Sequence, residues 1–307
     1  MSTKNLRIIF MGTPDFAVPS LEILVEQGYN VVAVITAPDK PAGRGLKIQT
    51  SPVKDVAVKH NIPLLQPTSL KDPAFIEELR SYQANLQIVV AFRMLPEAVW
   101  NMPEIGTFNL HASLLPQYRG AAPINWAIIN GEKETGCTTF FLQHEIDTGD
   151  ILFAEKETIG ENDTFEELYN RLKIKGAGLV LKTVRAIEEN NYKPVPQEFS
   201  ATLKSAPKIH KETCKIDWNK PAEETRNFIR GLSPYPAAWT ELQGKTMKIF
   251  KTEKISDNST KAPGEIETDQ KSYLYFHTAQ GVLSIKDLQL EGKKRMTVEE
   301  FLRGYKL

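Results

Sequence analysis

The sequence predicts an α/β protein, with an N-terminal parallel sheet layered by helices and a small C-terminal β-barrel. Three observations carry this reading. Short apolar β-type runs alternate with helically spaced stretches from Leu6 to Leu110, and β-rich runs separated by turn residues follow from Thr246 onward. The chain of 307 residues is also longer than the roughly 100–200 residues of a single domain.

Leu6–Met11 is an apolar run ended by Gly12, and Val18–Glu26 carries apolar residues at helical spacing until Gly28 stops it. Val31–Ile35, Leu86–Phe92 and Gly106–Leu110 read as further buried strands, with helical patterns at Pro52–His60 and Ala74–Arg80 between them. Strands alternating with helices imply a Rossmann-like parallel sheet with right-handed crossovers. Such a sheet binds ligands outside its carboxyl ends, which directs attention to the residues after Met11, Phe92 and Leu110. The turn Gly12-Thr13-Pro14-Asp15 has neither the further glycines of a dinucleotide fingerprint nor a Gly-Lys-Ser/Thr, so NAD and ATP sites are rejected there. A long helix is predicted from Thr164 to Asn190, with Phe165, Leu168, Leu172, Leu179, Leu181 and Val184 on one apolar stripe. Residues 191–207 are rich in Pro, Ser and Lys and read as a linker. Beyond it, Thr246–Phe250, Tyr273–His277 and Val282–Ile285 are short strands. Closure into a small, OB-like barrel would leave them no free edges. The organisation expected is a catalytic domain over 1–190, the linker over 191–207 and a barrel domain over 208–307.

Composition excludes several classes. The hydrophobic fraction of 41% and charged fraction of 25% are ordinary globular values, and no apolar run approaches the roughly 20 residues of a membrane span. Ser2 to Asn5 are polar and Arg7 follows Leu6, unlike a signal peptide, so a cytoplasmic protein is expected. Cys137 and Cys214 form no Cys-x-x-Cys or Cys/His cluster and read as buried structural thiols. The five histidines show no i, i+4 pairing, so no metal is expected. Net charge is zero, yet the chain is uneven: residues 1–207 hold 20 basic and 24 acidic side chains, and residues 208–307 hold 18 and 14. The C-terminal part therefore suits a polyanion better than the N-terminal part does.

Asn109 and His111 stand two apart at the end of a predicted strand, so both face the same side of the sheet edge where ligands bind. Asp147 lies in the turn Ile146-Asp147-Thr148-Gly149-Asp150 and is available to orient or charge the histidine. An amide, an imidazole and a carboxylate, without a serine or cysteine nucleophile, suit attack by an external amine. The Asn109 amide can hold an oxyanion, and His111 can take a proton or hold developing charge. By spacing alone, Asn-x-His describes a satisfied polar pair as readily as a catalytic one.

The segment Phe108-Asn109-Leu110-His111-Ala112-Ser113-Leu114-Leu115-Pro116-Gln117-Tyr118-Arg119-Gly120, followed by Asp147, resembles the signature of folate-dependent formyltransferases. The resemblance implies that Asn109, His111 and Asp147 are the catalytic trio and that Ser113, Leu114, Leu115 and Pro116 bind folate. It implies further that Phe92, Met94 and Leu95, in Phe92-Arg93-Met94-Leu95-Pro96, line the pterin. A glycine is usual where Arg93 stands, and His144-Glu145 replaces a glycine-containing run before the Asp147 turn.

Outside this core the chain resembles the branch of the family that formylates the amino group of initiator methionyl-tRNA for translation initiation, with 10-formyltetrahydrofolate as formyl donor and no metal. The likeness lies in Met11-Gly12-Thr13-Pro14-Asp15-Phe16-Ala17, Asp39-Lys40-Pro41-Ala42-Gly43-Arg44-Gly45, Gly120-Ala121-Ala122-Pro123-Ile124 and Leu232-Ser233-Pro234-Tyr235-Pro236-Ala237-Ala238-Trp239. It implies that the basic loop with Lys40, Arg44 and Lys47 meets the acceptor arm, joined by Lys208 and a tRNA-binding barrel domain. A monomer is expected. The alternative is a sugar-nucleotide N-formyltransferase, which Asn125-Trp126 and Asn130-Gly131-Glu132 resemble and the loop around Arg44 opposes. A noncatalytic RNA-binding module would leave Asn109, His111 and Asp147 dispensable, and an oxidoreductase lacks its glycines.

Overall fold

The computed structural model describes residues 6–42, 47–198, 200 and 202–307, and at 41, 42, 47 and 48 the backbone alone. In chain order the first elements are β1 (Arg7–Gly12), α1 (Val18–Glu26), β2 (Asn30–Ile35), β3 (Lys40–Ala42), β4 (Lys47–Gln49), α2 (Pro52–Lys59), β5 (Leu64–Leu65), α3 (Pro73–Ser81), β6 (Leu86–Val90), α4 (Glu97–Trp100) and β7 (Gly106–His111). Then come β8 (Arg119–Gly120), α5 (Pro123–Ile129), β9 (Glu134–Phe141), β10 (Ile151–Thr158), α6 (Phe165–Glu188) and β11 (Ser205–Ala206). The last are α7 (Ala222–Gly231), β12 (Ala238–Leu242), β13 (Lys245–Ser256), β14 (Ile266–Thr268), β15 (Leu274–His277), β16 (Val282–Leu290), β17 (Met296–Thr297) and α8 (Val298–Gly304). Two compact units result. One gathers Met1–Arg119, Gly136–Glu157 and Tyr169–Lys204, and the other Gly120–Thr135, Thr158–Leu168 and Ser205–Leu307.

The first unit is built on a seven-stranded sheet in the order β10-β9-β7-β6-β1-β2-β5. β1, β2, β5, β6 and β7 are parallel neighbours, and β9 runs antiparallel to β7. After β1 the chain builds outward through β2 and β5, then returns to the other side of β1 with β6 and β7. That reversal opens a crevice at the carboxyl ends of β1 and β6, beside the end of β7. The helices begin where local chemistry starts them. Ser51 accepts a hydrogen bond from the Lys54 amide and Asp72 from the Ala74 amide, each followed by a proline that presets the first helical turn. Phe10, Phe108 and Phe140 are fully buried in the sheet.

α6 lies close enough to β7 that a Cβ on Gly176 would stand 2.7 Å from the Leu110 side chain, so glycine sets this approach and helps hold the strand that carries the site. Cys137 is buried beneath it with a free thiol, and burial pushes that thiol up to about 12. Cys214 is also free and buried. One strand differs from expectation at its end: β6 stops at Val90 because Ala91 adopts φ +48°, which turns the chain out of the ladder before Phe92. In the other direction, β7 extends one residue beyond Leu110 to include His111.

In the second unit the expected barrel takes the form of a curled antiparallel half-barrel in the order β12-β13-β16-β15-β14, with β17 also paired to β16. Register shifts at Ile249/Lys251, Lys251/Thr252 and Lys254/Ser256 bend the long strand β13 around its core. Met247, Ile249, Phe276, Leu283, Ile285 and Phe301 fill the concave side. α5 packs into this unit, its Asn125 amide donating to the Gly231 carbonyl at 2.8 Å at the end of α7.

Candidate active site

Asn109 and His111 occupy the carboxyl end of β7, where Asn109 sits in register with Val89 of β6 and Phe140 of β9. Asn109 is partly exposed at this edge and His111 is buried. The His111 Nε2 lies 2.9 Å from the Tyr118 carbonyl oxygen. A carbonyl only accepts, so Nε2 must carry the proton, and the neutral ring presents its lone pair at Nδ1. That nitrogen faces Asp147, with Oδ2 at 3.9 Å. The separation is an ion-pair distance and exceeds a direct hydrogen bond.

The Tyr118 carbonyl is held by a tightly wound loop. Tyr118 takes φ +60° and its amide donates to the Lys204 carbonyl at 2.7 Å. Ser113 donates through Oγ to the Gln117 carbonyl at 2.7 Å. Thr138 of β9 donates to the Ser113 carbonyl at 2.7 Å and accepts from the Leu115 amide at 3.1 Å. Ser113 is thus buried and its hydroxyl is used inside the loop, whereas Leu114 and Pro116 are partly exposed and Leu115 is buried.

Asp147 reaches His111 from a turn whose backbone is strained. Its φ is +57°, a region that aspartate tolerates better than most residues. Two residues on, a Cβ on Gly149 would lie 1.6 Å from the Phe141 carbonyl oxygen, so only glycine fits. Gln197 locks this turn from outside. Its side-chain nitrogen donates to the carbonyls of Asp147 (2.9 Å) and Gly149 (2.7 Å), and its oxygen accepts from Arg119 at 2.6 and 3.2 Å. Val195 docks the same segment on β10 through paired backbone bonds to Ile151 of 2.8 and 2.9 Å. Sequence reading missed Gln197, which lies in the Pro-rich stretch taken for a linker.

The loop after β6 supplies the other wall. Phe92, Leu95 and Leu142 pack on the apolar cluster around Ile9, Met11 and Val89, while Met94 is 74% exposed. Arg93, standing where a glycine was expected, donates to the carbonyls of Pro67 (2.8 Å) and Thr68 (3.2 Å) and lies 5.3 Å above the Phe92 ring. It therefore straps this loop to the one after β5. His144 replaces glycine on the exposed side of its turn, 3.6 Å from Glu97 and edge-on to Trp100.

The candidate tRNA contacts fall in several places. Lys40 is exposed at the start of the β3–β4 hairpin, Lys47 opens the returning strand, and Lys208 is exposed in the second unit. Arg44, and the side chain of Lys47, lie outside the described residues. Among the described residues no group of His, Cys, Asp and Glu is arranged to hold a metal ion, and no helix is long and apolar enough to cross a membrane. The arrangement offers a carbonyl substrate one amide donor, one imidazole of fixed tautomer and one carboxylate behind it.

The sequence pattern of the formyl transferase family matches residues 5–184, and that of the formyl transferase C-terminal domain matches residues 208–306. A methionyl-tRNA formyltransferase of Bacteroides thetaiotaomicron is 58% identical over 315 residues, covering 100% of this chain and 98% of that one. One from Phocaeicola vulgatus is 59% identical over 316 residues, again covering 100% and 98%. Among solved structures, an N-formyltransferase of Helicobacter canadensis superposes with a TM-score of 0.68 at 22% identity, covering 91% of this chain and 99% of that one, a likeness of fold.

Proposed function

The chain belongs to the formyl transferase family, and on that premise we propose that it transfers the formyl group of 10-formyltetrahydrofolate to the amino group of initiator methionyl-tRNA. The observation that carries the chemistry is the His111 ring, fixed between the Tyr118 carbonyl and Asp147, with Asn109 two residues earlier on the same strand. The acceptor rests on full-length identity to proteins named for methionyl-tRNA.

In this reading the neutral methionyl amine attacks the formyl carbon. The carbonyl oxygen becomes an oxyanion, which the Asn109 amide stabilises by donation. His111 accepts the amine proton at Nδ1, the free nitrogen of its tautomer, and the imidazolium so formed is held by Asp147. The carbon–N10 bond then breaks, N10 takes that proton, and tetrahydrofolate and formylmethionyl-tRNA leave. Phe92, Met94, Leu95 and the Leu114–Pro116 stretch form the apolar bed for the folate, and Ser113 shapes its loop. Lys40, Arg44, Lys47 and Lys208 contact tRNA, residues 1–190 act as the catalytic domain, and 208–307 as the tRNA-binding one joined through 191–207. The protein works in the cytoplasm as a monomer.

Mass analysis of the aminoacyl group after incubation of methionyl-tRNA with the protein and 10-formyltetrahydrofolate tests the reading. Formylmethionine is the expected product, and methionine alone would remove it.

A further inference from the structure

The second unit carries an open cavity of about 460 Å³, lined by Tyr235 and Trp239 and by three lysines, Lys208, Lys211 and Lys248. That volume lies in the range of ligand sites. Two features are unusual for a surface left to water. The three lysines have no carboxylate partner among the described residues, whereas neighbouring Lys215 pairs with Glu241 at 3.1 Å. Gathering unpaired cations around one hollow raises their mutual repulsion and favours an anion between them.

The second feature is aromatic. Tyr235 stands 77% exposed at the cavity, on a backbone stiffened by Pro234 and Pro236. Trp239 is fixed at its edge, where Nε1 donates to the Lys211 carbonyl at 2.9 Å. Aromatic rings beside unpaired cations match the two halves of a nucleotide, whose base stacks and whose phosphate takes the charge. A simple anion would leave the rings unused, and an apolar ligand would leave the lysines unused. We propose that this cavity holds one unpaired nucleotide of an RNA strand, with the base on Tyr235 and the flanking phosphates at Lys208, Lys211 and Lys248. A strand is favoured over a free nucleotide because three separate cations serve successive phosphates, and residues 208–307 carry the basic excess of the chain. The proposal deepens the tRNA reading and rests on it.

The test is fluorescence anisotropy of a labelled single-stranded hexaribonucleotide with the full chain, with uridine monophosphate and a blunt RNA duplex as competitors. Tyr235→Ala weakens binding about tenfold, as loss of one stacked base does. Tyr235→Phe, which keeps the ring, retains wild-type affinity. Lys248→Gln reduces the log–log salt slope by about 0.7, the value of one single-strand phosphate contact. Unchanged affinity in Tyr235→Ala, equal competition by the blunt duplex, or binding of the mononucleotide with exclusion of the strand would each overturn the proposal. Formyl transfer to methionyl-tRNA is measured separately on the same wild-type preparation. Transfer without strand binding ends this inference and spares the function, and binding without transfer does the reverse.

Discussion

Because the Tyr118 carbonyl claims Nε2 of His111, the proposed proton transfer falls to Nδ1, with Asn109 as the proposed oxyanion donor. Asn109→Ala is therefore expected to lower kcat by about 10²–10³-fold, and His111→Ala by about 10²–10⁴-fold, with folate affinity little changed in both. Single-turnover rates beside equilibrium folate titration check this split. Gln197 acts on Asp147 through the turn, as a positioning residue. Gln197→Ala leaves two carbonyls without their donor, at a cost of about 1–3 kcal/mol. It should lower the thermal midpoint, reduce kcat and shift the acid limb of the pH–rate profile, with Gln197→Glu unable to restore either because a carboxylate cannot donate. The gathering of Asn109, His111 and Asp147 at one strand end was legible from strand-end placement and from the motif around His111. Gln197 was not, since its partners Asp147 and Gly149 lie 50 and 48 residues away in the chain and nothing local marks the contact.

At the scale of elements, α6 is tied to the turn after β1 by Asp15, which accepts from Tyr169 at 2.5 Å and from Lys173 at 3.0 Å. Burial works to raise the Asp15 carboxyl, but these donors outweigh it and hold it below the usual 3.8. Glu157 behaves alike: burial raises it, and Arg171 and Lys175 bring it below its usual 4.5. A folded-state value below the unfolded one gives stability that is complete above the unfolded value and fades as pH falls through the folded one. Acid destabilisation is thus expected from about pH 4.5 downward. Lys173→Met should lower stability at pH 7 and flatten this acid loss, as denaturant titrations at both pH values would reveal. For the basic sequence around Arg44, which lies outside the described residues, Arg44→Ala is expected to raise the KM for tRNA several-fold while leaving folate binding intact, and unchanged tRNA kinetics would remove Arg44 from the proposed tRNA contacts. Most strands and helices were readable from periodicity. The end of β6 was not, because alanine at φ +48° has no sequence signal.

For the whole molecule, the legible part was the succession of a parallel sheet and a curled antiparallel one, which composition and turn spacing already separate. The grouping of Gly120–Thr135 and Thr158–Leu168 with the C-terminal residues was hidden. The partner of α5 is revealed only by contacts such as Asn125 to Gly231 and the approach of Gly231 to Ile129, where a Cβ would stand 2.7 Å away. The charge excess beyond residue 207 is no argument about the fold. The acceptor is accordingly the claim on which the account turns, since the mechanism proposed for Asn109, His111 and Asp147 would suit any primary amine. The deciding measurement offers methionyl-tRNA and a 4-amino-sugar nucleotide in parallel to the purified protein with labelled 10-formyltetrahydrofolate. Label on methionyl-tRNA alone is the predicted result, whereas label on the sugar nucleotide alone, or on neither, would contradict the account.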